Sequence, residues 1–294
     1  GTDLNQVWLK YAGDNYAGTA GRQRILNGNQ RFIGGVAWRQ NEQTYDGFRA
    51  NWNPGKFKLD VSYVANVNRI FGPDDGANPA DLEGDNFFAR ADYQFVENHS
   101  VAVFGYFLDF DEDGPYGPGK TVNNSTDTYG LEYKGKISFL NLAAAYATQS
   151  EAGDSELNYD ADYYMVELGT NFKGLNLKAG YEVLASDNDV GFKTPLATLH
   201  KFQGWADKFL STPGDGIEDL YAGVTGKLGP VKLGAFYHDF QAEDSSRDFG
   251  SELDLVATYA FNKKLTAQAK FASFDGDDGY DDTDKVWFTL QYKL

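Results

Sequence analysis

Six arginines carry the clearest chemical potential in the sequence: Arg22, Arg24, Arg31, Arg39, Arg49 and Arg90. A guanidinium stays charged at working pH, and its planar fork can hold a carboxylate through two parallel hydrogen bonds. Arg22 and Arg24 share a parity, opposite Gln23 and Ile25. Arg49 opposes Phe48 and Ala50, and Arg90 opposes Ala89 and Ala91. In an extended chain each of these arginines would lie on the polar face of its segment. Arg31 and Arg39 fall in the connection between two such segments. Two roles are open. The arginines can bind the carboxylates of a solute, or they can pair with Asp46, Asp60, Asp92 and Glu132 in a ladder that braces the fold.

Other chemistry is sparser. Cysteine is absent, which excludes disulfides, zinc–thiolate sites and a thiol nucleophile. The three histidines, His99, His200 and His238, form no local Ser/His/Asp pattern, so an enzyme has little support and no cofactor is expected. Two acidic runs, Asp109-Phe110-Asp111-Glu112-Asp113-Gly114 and Asp275 to Asp282, could hold a hard cation such as calcium weakly. They match no complete EF-hand, and a solvated loop, or divalent ions bridged to lipopolysaccharide, would use the same carboxylates. The segment Ser186 to Gly216 holds the one stretch that reads as helix, about Pro195 to Leu210, with Leu196, Leu199, Phe202, Phe209 and Leu210 on one face. It is expected either to cap a rim or to fold inward and narrow a pore, placing Lys201, Trp205 and Lys208 near the entrance.

The elements that position these residues alternate with period two. Leu175, Leu177, Ala179, Tyr181, Val183 and Ala185 face one way, with Asn176, Lys178, Gly180, Glu182, Leu184 and Ser186 opposite. Val286, Phe288, Leu290, Tyr292 and Leu294 repeat the pattern. About fifteen such segments occur, mostly of about 9–13 residues, where an ordinary strand has about 5–6. Tilted strands of about 9–11 residues cross a bilayer. Short turns, as at Trp52 to Lys56, Lys173-Gly174 and Asn262 to Lys264, alternate with long polar loops. Tyr and Phe crowd the strand ends, as rings do at a membrane interface. Mean hydropathy is only −0.51 and no apolar run suits a spanning helix. The pattern predicts an all-β, transmembrane, antiparallel up-and-down barrel in the bacterial outer membrane. Its short turns would be periplasmic, its long acidic loops extracellular, and residues 1–294 one barrel domain. The net charge of −17 excludes a nucleic-acid binder.

Three stretches resemble the alginate-export family of outer-membrane porins: Gly21-Arg22-Gln23-Arg24-Ile25; Asn29 to Gly34 continuing through Trp38 to Thr44; and Thr194 to His200 with Gly204-Trp205-Ala206-Asp207-Lys208-Phe209. The resemblance implies a barrel of about eighteen strands. About fifteen lie in this chain, so N-terminal strands are expected to precede it. It also implies an arginine-lined lumen that passes an anionic polysaccharide. The expected function is a passive channel for an anionic solute or uronate-type saccharide, with membrane lipid and lipopolysaccharide as surroundings. A structural or adhesive barrel plugged by its own loops is the alternative. The terminal Leu294 and the strong acidity depart from the family pattern. Much of the acid lies in or beside external loops, among it Asp74, Asp75, Asp81, Glu83 and Asp284, where its field is screened within about 8 Å.

Overall fold

The computed structural model describes residues 4–38, 41–71, 79–115 and 120–293. Arg39, Asp74 and Asp75 lie outside the described residues. Fifteen long strands pair into one antiparallel sheet in which neighbours in sequence are neighbours in space. They are β1 (Val7–Ala12), β2 (Tyr16–Gln23), β3 (Thr44–Trp52), β4 (Phe57–Asn68), β5 (Asp81–Val96) and β6 (His99–Leu108), then β9 (Thr126–Ile137), β10 (Leu140–Glu151), β11 (Asp160–Phe172) and β12 (Leu175–Leu184), then β15 (Ile217–Leu228), β16 (Val231–Gln241), β17 (Asp248–Ala260), β18 (Leu265–Gly276) and β19 (Thr283–Tyr292). Two small ribbons sit in long loops: β7 (Asp113–Pro115) with β8 (Thr121–Asn123), and β13 (Ser186–Asp187) with β14 (Val190–Gly191).

The chain divides into two compact units, one of Gly1–Tyr133, Tyr146–Asp162 and Phe192–Leu199, the other of Lys134–Ala145, Tyr163–Gly191 and His200–Leu294. Each inverts the usual distribution of polarity: in the first, Phe48 and Val103 are exposed while Ser62 and Arg90 are buried, and the second shows it more strongly. Phe288 is 84% exposed and Leu290 71%, and Leu177, Tyr181, Leu253 and Leu255 are exposed with them. The opposite parity carries buried Glu182, Asp219, Glu252 and Asp254. An apolar outside and a polar inside is the arrangement of a sheet facing lipid. Long loops then cover the polar side, which is why charged strand residues are buried.

The helix expected over Pro195 to Leu210 does not form. Among the described residues of that segment, only the 3₁₀ turn Leu199–Lys201 is helical. Gln203, Gly204 and Asp207 hold φ values of 53°, 77° and 57°, left-handed conformations that no right-handed helix contains. The apolar spacing instead serves an irregular loop, whose Leu196 and Phe209 are buried separately.

Candidate pore lining and anchored loops

The first unit holds the arginines. Arg90 lies on β5 with its side chain nearly sealed from solvent. Its Nε and Nη2 donate to Asp92 at 3.0 and 2.9 Å, and Nη2 also donates to Glu132 at 2.8 Å. The loop after β2 closes over this trio. Gly28, at φ +57°, passes so near that a Cβ there would lie 2.9 Å from Glu132 Oε1 and 3.0 Å from Arg90 Nη1. Arg49 on β3 bonds Asp60, with Nε at 3.0 Å from both carboxylate oxygens, and its Nη1 donates to the Arg24 carbonyl at 3.3 Å. Arg49, Ser62 and Thr19 are register partners, so Arg49 shares the polar side with them. Asn51 shares the parity of Arg49 and also donates to Asp60, at 2.6 Å.

Arg22 departs from the expected face. Its register partner is Asp46, two residues from the exposed Phe48, and the buried Gln23 and Tyr45 take the inner parity. Arg22 therefore points to the side of Phe48 and makes two 2.8 Å bonds to Asp46 there. Polarity alone predicts an inward residue, but an ion pair at a strand end sits equally well at the membrane interface. Arg24, beyond β2, bonds Glu42, which raises the guanidinium pKa and lowers that of the carboxyl. Arg31 is fully buried and donates from Nη1 to Thr194 at 3.4 Å, so it ties two loop segments together. Thr198 completes that junction by donating to Gln30 and accepting from the amides of Gly35 and Val36.

In the second unit, the segment after His200 is fastened to the polar side of β17–β19. Glu252 accepts from the Ala206 amide at 2.6 Å and Asp254 from the Trp205 amide at 3.1 Å. Lys285 donates to the Ala206 carbonyl, and Lys208 to Thr283 at 2.8 Å. Lys270 lies 3.8 Å from the Trp205 ring centroid and 2.8 Å from His200 Nε2, while His200 Nδ1 meets Asp207 at 2.7 Å. Phe209 plugs the end of the segment among Phe240, Phe249 and Tyr280. Of the loop residues expected at a pore entrance, Trp205 and Lys208 are engaged in this docking.

Lys201 has a different setting. Burial is the first cause of its lowered pKa, followed by the positive charges of Lys178 and Lys134, with Glu167 opposing. Lys178, on the inner parity of β12, bonds Glu167 at 3.2 Å and lies over the rings of Tyr221 and Phe236. Three ammonium groups thus act on one region of the second unit. Farther along the same face, toward the short-turn end, Lys227 and Lys232 are register partners.

A family model described as alginate export matches residues 1–187, and one described as Gram-negative porin matches residues 109–294. Each takes in more than half of the chain. The chain belongs to the alginate-export and Gram-negative porin families. No curated protein matches it significantly in sequence. Among solved structures, it is similar to Pseudomonas aeruginosa OpdQ (TM-score 0.74, 14% identity, covering 98% of this chain and 80% of that one). It is also similar to P. aeruginosa OccK9 (0.71, 16%, 96% and 74%) and Acinetobacter baumannii OccAB2 (0.70, 15%, 96% and 75%). At these identities the likeness shows the fold, an outer-membrane β-barrel. The porin resides in the bacterial outer membrane, and family and fold indicate a channel rather than an enzyme.

The arginines of this porin were legible in its sequence; the meeting of Lys134, Lys178 and Lys201 was not. They come from two strands, β9 and β12, and a loop, far apart in the chain. The polar parity of Lys178 was the one available signal. The acidic run Asp275 to Asp282 largely satisfies its own backbone: Asp282 accepts from the Gly276 amide at 3.0 Å, Asp277 from Asp278 at 2.8 Å, and Asp278 from Asp248 at 2.9 Å. Among the described residues no group of three or more His, Asp or Glu side chains is gathered as a metal-holding set.

Proposed function

We propose that this porin passes anionic solutes, with uronate-type oligosaccharides as the class that fits best. The observation that carries the reading is the convergence of Lys134, Lys178 and Lys201. Positive charges crowded on Lys201 are relieved by an anion, so a carboxylate in transit gains there. Most inner-face carboxylates are occupied otherwise. Glu252 and Asp254 hold loop amides, and Asp60, Asp92 and Glu132 hold arginines. Arg49 and Arg24 are likewise neutralised by Asp60 and Glu42, so the field on which the reading rests is that of the three lysines of the second unit, opposed by Glu167. Arg31, buried in its junction, sets the loop position. The rings of Tyr221 and Phe236 beside Lys178 offer an apolar surface on which the faces of sugar rings can rest.

The segment Lys201 to Phe209 narrows the path in this account because it is fastened to the polar side of the sheet. The same anchoring favours a second reading, a barrel plugged by its own loops. Planar bilayers containing the purified porin separate the two, since a plugged barrel gives no steady conductance. Substrate class is tested by adding a triuronate or a neutral trisaccharide of equal size. Concentration-dependent block by the triuronate alone supports the proposal. Equal block by both, or by the neutral sugar alone, refutes it.

A further inference from the structure

The outward face of the second unit is not uniformly covered by large side chains. Ala257 and Ala269 are cross-strand partners on β17 and β18, and Phe288 lies opposite Ala269 on β19. One step toward the short turns, Ala267 sits between Tyr259 and Leu290. An apolar trough of about 770 Å³ spreads over the outward face from Leu175 and Leu228 to Leu255, Phe271 and Phe288, and where the small residues lie it continues into a second of about 370 Å³ beside Tyr259 and Leu290. From Phe271 to Lys264 the strand rises about 23 Å at the usual 3.3 Å per residue. At a tilt of about 45° this covers about 16 Å of the bilayer normal, close to one leaflet of a core about 30 Å thick.

The periplasmic end of the trough is basic. The turn after Tyr259 carries Lys263 and Lys264, both exposed, and Lys264 lies over the Tyr292 ring at 6.0 Å. Lys293 follows on β19's end, its amide bonded to the Lys264 carbonyl at 2.8 Å. The asymmetry extends along the rim: residues 134–140, 171–178, 225–233, 260–266 and 286–293 contain lysines and not one carboxylate, although the chain as a whole is strongly acidic. An apolar trough one leaflet long, ending in ammonium groups and tyrosines at the periplasmic interface, complements one kind of molecule.

We propose that this trough seats an anionic diacyl phospholipid of the periplasmic leaflet, with an acyl chain over Ala257, Ala269 and Ala267 and the phosphate at Lys263 and Lys264. Lipid contact anywhere on the barrel needs only an apolar surface. A seat requires the trough and the basic end together, and the two can be altered separately.

The test is native mass spectrometry of the folded porin in detergent, with dioleoylphosphatidylglycerol or dioleoylphosphatidylcholine added at equal concentration. Folding of each variant is checked by its heat-modifiable gel shift. Wild type is expected to retain phosphatidylglycerol at least fivefold over phosphatidylcholine. The double variant Lys263→Gln/Lys264→Gln should lose that preference, and Ala269→Leu, which fills the trough, should lower retention of both lipids. Lys136→Gln, on the same rim but at the end of β9 and away from the trough, should leave the preference intact. Equal retention of the two lipids by wild type would overturn the proposal. So would an effect of Lys136→Gln as large as that of the double variant, since the rim would then act only as diffuse charge. Lipid-free oligomers that Ala269→Leu dissociates would also overturn it, in favour of a second copy of the chain in the trough.

Discussion

Replacing Glu252 and Asp254 with alanine should release the loop segment that they hold. Both carboxylates are essentially sealed from solvent, at 1% and 0% exposure, and each accepts a loop amide. The two carboxylates are buried against each other and share one proton, so one bond is to a charged group, about 1.5–3 kcal/mol, and the other to a neutral one, about 0.5–1.5 kcal/mol. Loss of both makes the docked segment less favourable by about 2–4.5 kcal/mol, and each 1.4 kcal/mol is tenfold in population. The undocked fraction should therefore rise by about one to three orders of magnitude. Phe209 and its aromatic neighbours still pin the far end, so the segment should swing rather than leave. The chain has no cysteine, which makes Ala206→Cys a clean reporter. Ala206 is buried between Glu252 and Lys285. Modification of the introduced thiol by a charged thiosulfonate should be at least about tenfold faster in the Glu252→Ala/Asp254→Ala background, and single channels should flicker to a larger level. Equal modification rates in both backgrounds would refute the assignment of these carboxylates as the anchor.

Other consequences are equally specific. Deleting Thr194 to Pro213 should raise single-channel conductance markedly; unchanged conductance would leave the segment no part in narrowing the path. Arg90→Met should destabilise the barrel by about 3–5 kcal/mol in urea titrations, because Glu132 would keep a buried charge without its partner. Gly28→Ala should also destabilise, since both its φ and the Arg90–Glu132 pair beneath it oppose a Cβ. Lys193, in the loop after β14, is pushed down to about 8 by burial. Between about pH 8 and its ordinary value of 10.5 the unfolded chain binds the extra proton, so stability should rise with pH across that window. The cost of burying the charge is fully present below about 8. In Lys193→Met this increment should vanish from the pH dependence of the urea midpoint.

The sheet was legible because period-two alternation over long segments survives any tertiary detail; Leu177 against Lys178 and Leu253 against Asp254 are enough to orient two strands. The alternation of short turns with long loops gave the direction of the chain. Side-chain placement near strand ends was less legible. Arg22 and Arg49 look alike in sequence, yet register puts Arg22 with Asp46 on the side of Phe48 and Arg49 on the inner side with Ser62. The apolar spacing from Leu196 to Leu210 imitated a helix because loop residues packed on two different surfaces can recur at intervals of three and four by chance. Positive φ at Gln203 has no signature in residue type, and Asp207, a residue that tolerates it, is as common in ordinary loops. Contacts between Lys178 and Lys201, or Glu252 and Ala206, depend on how a long loop returns to its sheet, which local pattern does not encode.

The path through this porin is proposed to favour anions despite a chain charge of −17. Reversal potential under a potassium chloride gradient tests it most directly, for wild type and for Lys178→Gln/Lys201→Gln. A reversal potential on the chloride side is expected for wild type, shifted toward zero in the double variant. A wild-type potential on the potassium side would contradict it, because the carboxylates of the inner face would then govern the pore.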